Sequence, residues 1–349
     1  MPEQDLISSL RTLNESELFY RSYREAARQE DTLRAFLEGL SREMVERMEL
    51  LIPQWPETLL QEYLENHFFS QSSPLGIQVF KHNCYTPPVP HSHDFFEMFY
   101  VLEGHCRHRV SGVDSELHTG DFCLIRPRVV HALDVSDESI VLDILIRRST
   151  FRSNFFSILH DNNLFSRFFM SAMFDARGLD YLIFHTMGDS DLRDEMLELM
   201  RECQEEGRYY TILVNAILTR LFVLLLRRYA DSCEQPQITD KNSETILEIT
   251  GYIQSHASQV TLEEVADHFH YTPEHVSRQI HQMTGHTFIQ LLTRLRLENA
   301  AQLLQNTSLS TADIAEAIGY QSSEHFARVF KKSRGMTPSE YRKRNRQPL

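Results

Sequence analysis

The sequence predicts an α+β multidomain chain: an antiparallel β-barrel with flanking helices, followed by an all-α C-terminal domain with two helix-turn-helix units. Two patterns and the length point there. The C-terminal third repeats one motif, a short helix, a turn and a second helix with an outward arginine, so that Arg278 and Arg328 stand 50 positions apart. The stretch from Gly76 to Ile146 is interrupted by turn signals at the frequency of a small barrel or jelly roll. At 349 residues the chain has room for two or three domains, each with its own core.

Residues 1–72 read as a helical N-terminal extension. Leu18 to Met48 is charged and helix-prone, with Phe19, Tyr23, Leu33, Phe36, Leu37 and Leu40 as packing residues, and Trp55 between Pro53 and Pro56 marks a break. Residues 73–150 form the expected barrel, punctuated by Tyr85 to Pro90, Glu103-Gly104, Ser111-Gly112 and Gly120-Asp121. Within it lies His91-Ser-His93-Asp-Phe-Phe-Glu97. Side chains of a strand alternate, so His91, His93, Phe95, Glu97 and Phe99 share one face, and three metal-type ligands converge inside the barrel. Such a face suits a polar effector, with His and Glu bonding it and the two phenylalanines walling it. Arg107, Arg109 and Arg126 leave an acidic metabolite open as the effector.

Residues 151–232 read as helices over Phe155 to Phe174 and Asp191 to Tyr229. There Leu197, Met200, Leu213, Ile217, Leu221, Leu224 and Leu225 recur at helical spacing, a broad apolar face suited to packing on the barrel. Residues 233–243 are polar and read as a linker.

Residues 244–349 hold the repeated motif. Thr261 and Glu264 form a capping box, and Thr272-Pro273 supplies an N-cap followed by proline at the first helical position. Val276, Ile280 and Met283 then face the core, leaving Glu274, Ser277, Arg278 and His281 outward, and Gly285 closes the helix. The second copy enters through Ser310 and Asp313, turns at Gly319 and buries Phe326, Val329 and Phe330. Its Ser323, Glu324, Ala327, Arg328 and Lys331 project away. Between the copies, Thr287 to Gln305 reads as one helix of roughly 28 Å, a spacing suited to two recognition helices in successive major grooves of DNA. Lys331, Lys332, Arg334, Arg342, Lys343 and Arg344 are of the type that holds phosphates.

Overall charge argues at first against nucleic acid, because 35 Lys and Arg face 49 Asp and Glu for a net charge of −14. The sign is uneven, however. From Lys241 to Leu349 there are 12 basic and 11 acidic residues, net +1, leaving −15 for the remainder. An acidic sensor half discourages indiscriminate DNA binding by repulsion. The five cysteines, odd in number and without paired metal spacing, read as reduced thiols. No leader pattern follows Met1, and the longest unbroken apolar run, Leu221 to Leu226, is far short of a membrane span, so a soluble cytoplasmic protein is expected.

The segment Ile314 to Arg344 contains Ala-Ile-Gly-Tyr, Phe-Ala-Arg-Val-Phe-Lys-Lys and Gly335-Met-Thr-Pro-Ser-Glu-Tyr-Arg. It closely resembles the signature of AraC/XylS-type transcription regulators, over about residues 245 to 345. The resemblance implies a seven-helix domain on double-stranded promoter DNA, attached to a sensor for a small molecule, a sugar in several members. It places base-reading slots on Glu274, Ser277, Arg278, Ser323, Glu324 and Arg328. It further implies a homodimer formed through the helices after the barrel, and activation through RNA polymerase.

The barrel stretch resembles the first cupin motif: His91, His93, Glu97 and Gly104 match its spacing. The second motif is partial. Gly120-Asp121 and Pro127 precede His131, the proline-to-histidine spacing is one residue short, and Val129 replaces the usual glycine. His91, His93, Glu97 and His131 therefore fit a divalent transition metal, or else a metal-free pocket in which they bond the effector. Two further readings stand beside the regulator: a metal-dependent cupin oxygenase or isomerase using those four residues, and a regulator controlled by a protein partner on the acidic helical half.

Overall fold

Every residue of the strand Phe96–Glu103 between its two ends but Glu97 is buried, because both of its faces are covered. The computed structural model describes residues 3–59, 61–69, 75–154, 163–173, 179–236 and 241–345, with all their side chains except those of 152–154, 170, 173, 241–244, 247, 283, 306 and 345. They fall into two units, Met1–Asn154 with Asp180–Pro236, and Phe155–Leu179 with Gln237–Leu349.

The strands of the first unit are β1 (Glu62–Tyr63), β2 (Ile77–Lys81), β3 (Ser92–His93), β4 (Phe96–Glu103), β5 (His105–Val110), β6 (Val113–His118), β7 (Phe122–Ile125), β8 (His131–Asp134), β9 (Ile140–Ile146) and β10 (Tyr181–Phe184). One antiparallel sheet runs β10-β7-β4-β9-β2 and a second runs β6-β5-β8, the expected antiparallel barrel. Its turn signals perform as read. Ser111 (φ 49°) and Gly112 (φ 82°) form the two-residue, left-handed loop that joins paired strands without splaying them. Phe99, Val101, Cys106, Val110, Cys123, Ile125 and Ile183 pack between the sheets. On the opposite face of β4, Phe96 stacks on Phe151 at 4.1 Å, and Phe151 meets Phe222 of the Tyr210–Tyr229 helix.

β10 was not legible as a strand. Tyr181-Leu-Ile-Phe184 is four buried apolar residues in a row, without the alternation that marks a half-exposed strand. The helix after it also departs from expectation. Although its longest unbroken apolar run is short, Tyr210–Ser232 contains an 18-residue window of mean hydropathy 1.6 and is long and apolar enough to cross a membrane by length and composition. Val214, Leu218, Leu221, Phe222 and Leu225 are nevertheless buried in the sensor unit, as in a core helix.

The N-terminal extension belongs to the same unit. Its helices Glu3–Arg11, Glu15–Ala26, Glu30–Glu38 and Arg42–Arg47 bring Phe19, Tyr20, Tyr23, Val45, Leu50 and Ile52 into a small core, with Leu33, Phe36, Leu37 and Leu40 against it. Polar ties fix this core to the barrel. The fully buried Glu17 carboxylate pairs with Lys81 at 2.7 Å and accepts from the Cys84 N–H at 3.0 Å, while Arg11 pairs with Glu103 and Arg24 with Asp134.

The second unit contains helices Lys241–Ser255, Leu262–His268, Pro273–Thr284, Phe288–Asn306, Thr311–Ala317, Ser323–Arg334 and Pro338–Asn345, the seven that the resemblance implied. Leu164–Met173, which sequence order groups with the sensor helices, packs here against Lys241–Ser255. The expected caps at Thr261, Thr272 and Ser310 are formed, and Gly285 closes its helix at φ 68°. The two copies differ by one residue in their turns: Val265 corresponds to Ile314, 49 positions on, and Val276 to Phe326, 50 positions on. Arg296 braces the fold, donating to the carbonyls of Ala257 at 2.6 Å and Ser258 at 3.0 Å beneath the Tyr320 ring.

Candidate effector cavity and nucleic-acid interface

A cavity of about 330 Å³ opens in the barrel. It brings together all six residues read from the sequence: His91, His93, Phe95, Glu97, Phe99 and His131. They are not on one continuous strand, since Asp94 and Phe95 interrupt β3 and β4, yet they line the same space. Backbone pairing makes the join. His91 and His131 exchange N–H···O bonds of 2.9 Å, which sets their rings 4.4 Å apart.

Three histidines share one hydrogen-bond habit. His91 Nδ1 meets the Val89 carbonyl at 3.0 Å, His93 Nδ1 that of Phe95 at 2.7 Å, and His131 Nδ1 that of Val129 at 3.1 Å. A carbonyl only accepts, so each Nδ1 carries the hydrogen. Glu97 Oε2 then receives His131 Nε2 at 2.8 Å and His93 Nε2 at 3.0 Å. Burial alone would raise the Glu97 carboxyl, but the charge of His131 and the bonds from His131 and His93 hold it well below the usual range. Burial would likewise lower His131, and Glu97 outweighs it and raises it. His91 is driven down to about 4 by burial and by the charge of His131, so it is neutral.

Sequence reasoning missed the rest of the lining. His82 and Asp143, 2.8 Å apart, come from β2's end and from β9, and no local spacing links them. Burial raises the Asp143 carboxyl against the pull of His82, and Asp143 Oδ1 is buried without a partner among the described residues. Tyr63, Phe68, Glu49 and Leu51 come from the N-terminal extension and wall the cavity, while β1 lies beside β3. The arginines offered for an acidic metabolite are elsewhere. Arg109 is exposed and paired with Asp114, Arg126 is paired with Asp180, and Arg107 is exposed. The left-handed residue of the partial second cupin motif is Arg128 (φ 67°), not Val129.

In the second unit, the apolar stripes Val276 and Ile280, and Phe326 and Phe330, are buried. Met283, expected on the first stripe, lies outside the described side chains. The packing turns Glu274, Arg278, Ser323, Glu324, Arg328, Lys331 and Lys332 to the surface, with Ser277 half-buried beside them. Arg278 touches His275 at 3.2 Å, and Arg328 has no ion-pair partner among the described residues. Arg342 departs from its phosphate-type reading: its guanidinium caps the carbonyls of Leu304 and Leu309 and so holds the fold.

A barrel whose open cavity gathers histidines, a carboxylate and aromatic rings, joined to a doubled helix-turn-helix unit with outward arginines, defines a DNA-binding regulator with a ligand-binding domain. Residues 80–222 match the AraC-like ligand binding domain and residues 265–344 a helix-turn-helix domain. The chain belongs to the AraC family of transcription regulators. It is 27% identical over 270 residues to the HTH-type transcriptional activator RhaR of Shigella dysenteriae serotype 1, covering 76% of this chain and 91% of that protein. To the HTH-type transcriptional activator RhaS of an Enterobacter species it is 28% identical over 277 residues, covering 79% and 94%. Among solved structures it resembles the C-terminal domain of AraT, a response regulator from Geobacillus stearothermophilus. That match has 40% identity and a TM-score of 0.30, and covers 31% of this chain and 92% of that one. These relatives are regulators, not enzymes, and the cupin-enzyme reading falls with them.

Proposed function

We propose that the chain is a transcription activator, working in the cytoplasm as a homodimer, in which a small neutral polyhydroxylated effector, a sugar first of all, enters the barrel cavity and alters the grip of the paired helix-turn-helix units on promoter DNA. The observation that carries this reading is the cavity's surplus of acceptors. Glu97 and Asp143 face it, Asp143 Oδ1 lacks a donor among the described residues, and Lys81 is already engaged by Glu17. Hydroxyl groups supply donors, and Phe80, Phe95 and Phe99 cover C–H faces. A carboxylate ligand would meet like charge. About 330 Å³ is at the small end of ligand cavities, as a single sugar requires.

Activation through RNA polymerase follows the two activator relatives. Dimerisation is supported by Ile212, Leu213 and Val223, which stand 56%, 42% and 43% exposed on the Tyr210–Tyr229 helix. Sedimentation of the wild type and of Val223→Glu tests it: a wild-type monomer discards the dimer.

The deciding experiment is fluorescence anisotropy on DNA from upstream of the gene and its neighbouring operons, against scrambled DNA, with a sugar panel. Specific binding shifted by one sugar supports the whole reading. Specific binding that no sugar shifts removes the carbohydrate and keeps the regulator.

The same residues favour a second reading, a divalent transition metal on His91, Glu97 and His131, whose ligand atoms lie within 4.8 Å of one another, with His93 adjacent. Histidines that commit Nδ1–H to a carbonyl present Nε2 as a ligand, the orientation metal sites use. The donor set suits zinc, nickel or iron. Elemental analysis of the purified protein, and a melting shift with added metal that His131→Ala abolishes, would support it; no metal and no shift would end it.

A further inference from the structure

A second cavity, of about 520 Å³, lies within the N-terminal extension. It is larger than the barrel cavity and has a different character. Aromatic rings of Trp55, Tyr63 and Phe68 stand around it, and three carboxylates, Glu46, Glu49 and Glu57, line it. The cations beside them do not neutralise it. Arg42 is paired with Glu57 at 3.6 Å, and neither Glu46 nor Glu49 has an ion-pair partner among the described residues. His67 uses its Nδ1 to accept the Leu64 N–H. The Tyr63 hydroxyl, between the two cavities, has no hydrogen-bond partner among the described residues.

Aromatic faces carry negative quadrupoles, and tryptophan's is the strongest of the side chains. Rings and surplus carboxylates in one concavity both favour positive charge on an apolar body. A sugar lacks the charge, and an anion meets repulsion from the two unpaired glutamates.

We propose that the N-terminal extension carries a second ligand site, between Trp55, Tyr63 and Phe68, for a small organic cation of the primary or quaternary amine class. Glu46 and Glu49 attract the charge, and the rings contact its alkyl or aryl groups. Glu49, Leu51, Tyr63 and Phe68 also wall the barrel cavity, so an occupant of either cavity touches side chains that shape the other. Any resulting coupling between the two ligands is reciprocal.

Trp55 is the only tryptophan in the chain, so its fluorescence reports on this cavity alone. The full-length protein is titrated with choline and with phenethylamine, each against a neutral analogue of the same shape, 3,3-dimethylbutan-1-ol and 2-phenylethanol. Calorimetry supplies an independent readout. The expected result is a saturable change with at least one cation, about tenfold tighter than its neutral analogue, as a partly desolvated cation–π contact permits. The Glu46→Gln, Glu49→Gln double variant, both positions exposed, is expected to melt as the wild type does and to lose most of that preference. No saturable signal from either cation by either method, equal binding of the neutral analogues, or an unaltered double variant overturns the proposal.

Discussion

His131 Nε2 lies 2.8 Å from Glu97 Oε2 while its Nδ1 is bound to the Val129 carbonyl, so the ring meets the carboxylate with both nitrogens protonated. His131 is buried and the Glu97 side chain is only 12% exposed, which makes the charge of Glu97 matter to whatever the cavity holds. Glu97→Gln keeps the shape and removes the charge. Effector binding is expected to weaken roughly tenfold to a hundredfold, the worth of about 1.5 to 3 kcal/mol for a charged hydrogen bond. Calorimetry with the effector from the anisotropy screen measures this, and DNA affinity without effector serves as the control. Unchanged effector affinity would remove Glu97 from the site.

Arg328 and Lys332 are both exposed on the Ser323–Arg334 helix, but they are expected to fail differently. An arginine reading guanine discriminates by about 1 to 3 kcal/mol, so Arg328→Ala should lose specific binding and relax base preference at one position. Lys332→Ala should weaken specific and scrambled DNA alike and reduce the slope of log affinity on log salt by about 1. Competition titrations at several salt concentrations separate the two. Equal losses from both variants would place Arg328 on the phosphates.

What was legible in the sequence was local. Thr261 with Glu264, Ser310 with Asp313, and the His91 to Glu97 spacing each depend on residues within one turn or one strand, where geometry follows from spacing. The Lys81–Glu17 and His82–Asp143 pairs join residues 64 and 61 positions apart and exist only through the docking of the extension and the β2–β9 register. Glu49 and Tyr63 were unreadable as cavity residues for the same reason. Arg342 carried a phosphate-type signature because a lysine- and arginine-rich tail looks alike whether its cations face DNA or cap a carbonyl.

The turns of the two helix-turn-helix copies place His270 (φ 59°) where the second copy has Gly319 (φ 85°). A left-handed backbone strains any residue with a Cβ, by about 1 to 2 kcal/mol in the fully helical case. His270→Gly removes that strain from an exposed side chain, against the added flexibility of the unfolded glycine, and a net gain of roughly 0.5 kcal/mol is expected. Gly319→Ala should be severe, because its Cβ would overlap the Ser258 carbonyl that Arg296 also binds. Thermal melts of both variants check the asymmetry; a destabilised His270→Gly would mean that the imidazole itself holds the turn.

His185 binds Asp121 at 3.1 Å and Glu234 at 3.4 Å, at the point where Glu234 pairs with Ile183. Burial would lower its pKa, but the bonds to the two carboxylates outweigh that and raise it above 6.5. The stabilisation is therefore fully present below the unfolded value near 6.5 and is lost as pH rises through the higher folded value. The ring is 41% exposed, so screening by solvent keeps the effect small in stability and local in reach. The expected signature is faster amide exchange at Glu234 as the solution is taken from mildly acidic to mildly alkaline, after correction for intrinsic rates. In His185→Gln that excess should vanish, because the amide cannot gain the charge that ties both carboxylates. Equal corrected exchange at both pH values in the wild type would show that the Ile183 backbone bonds hold Glu234 unaided.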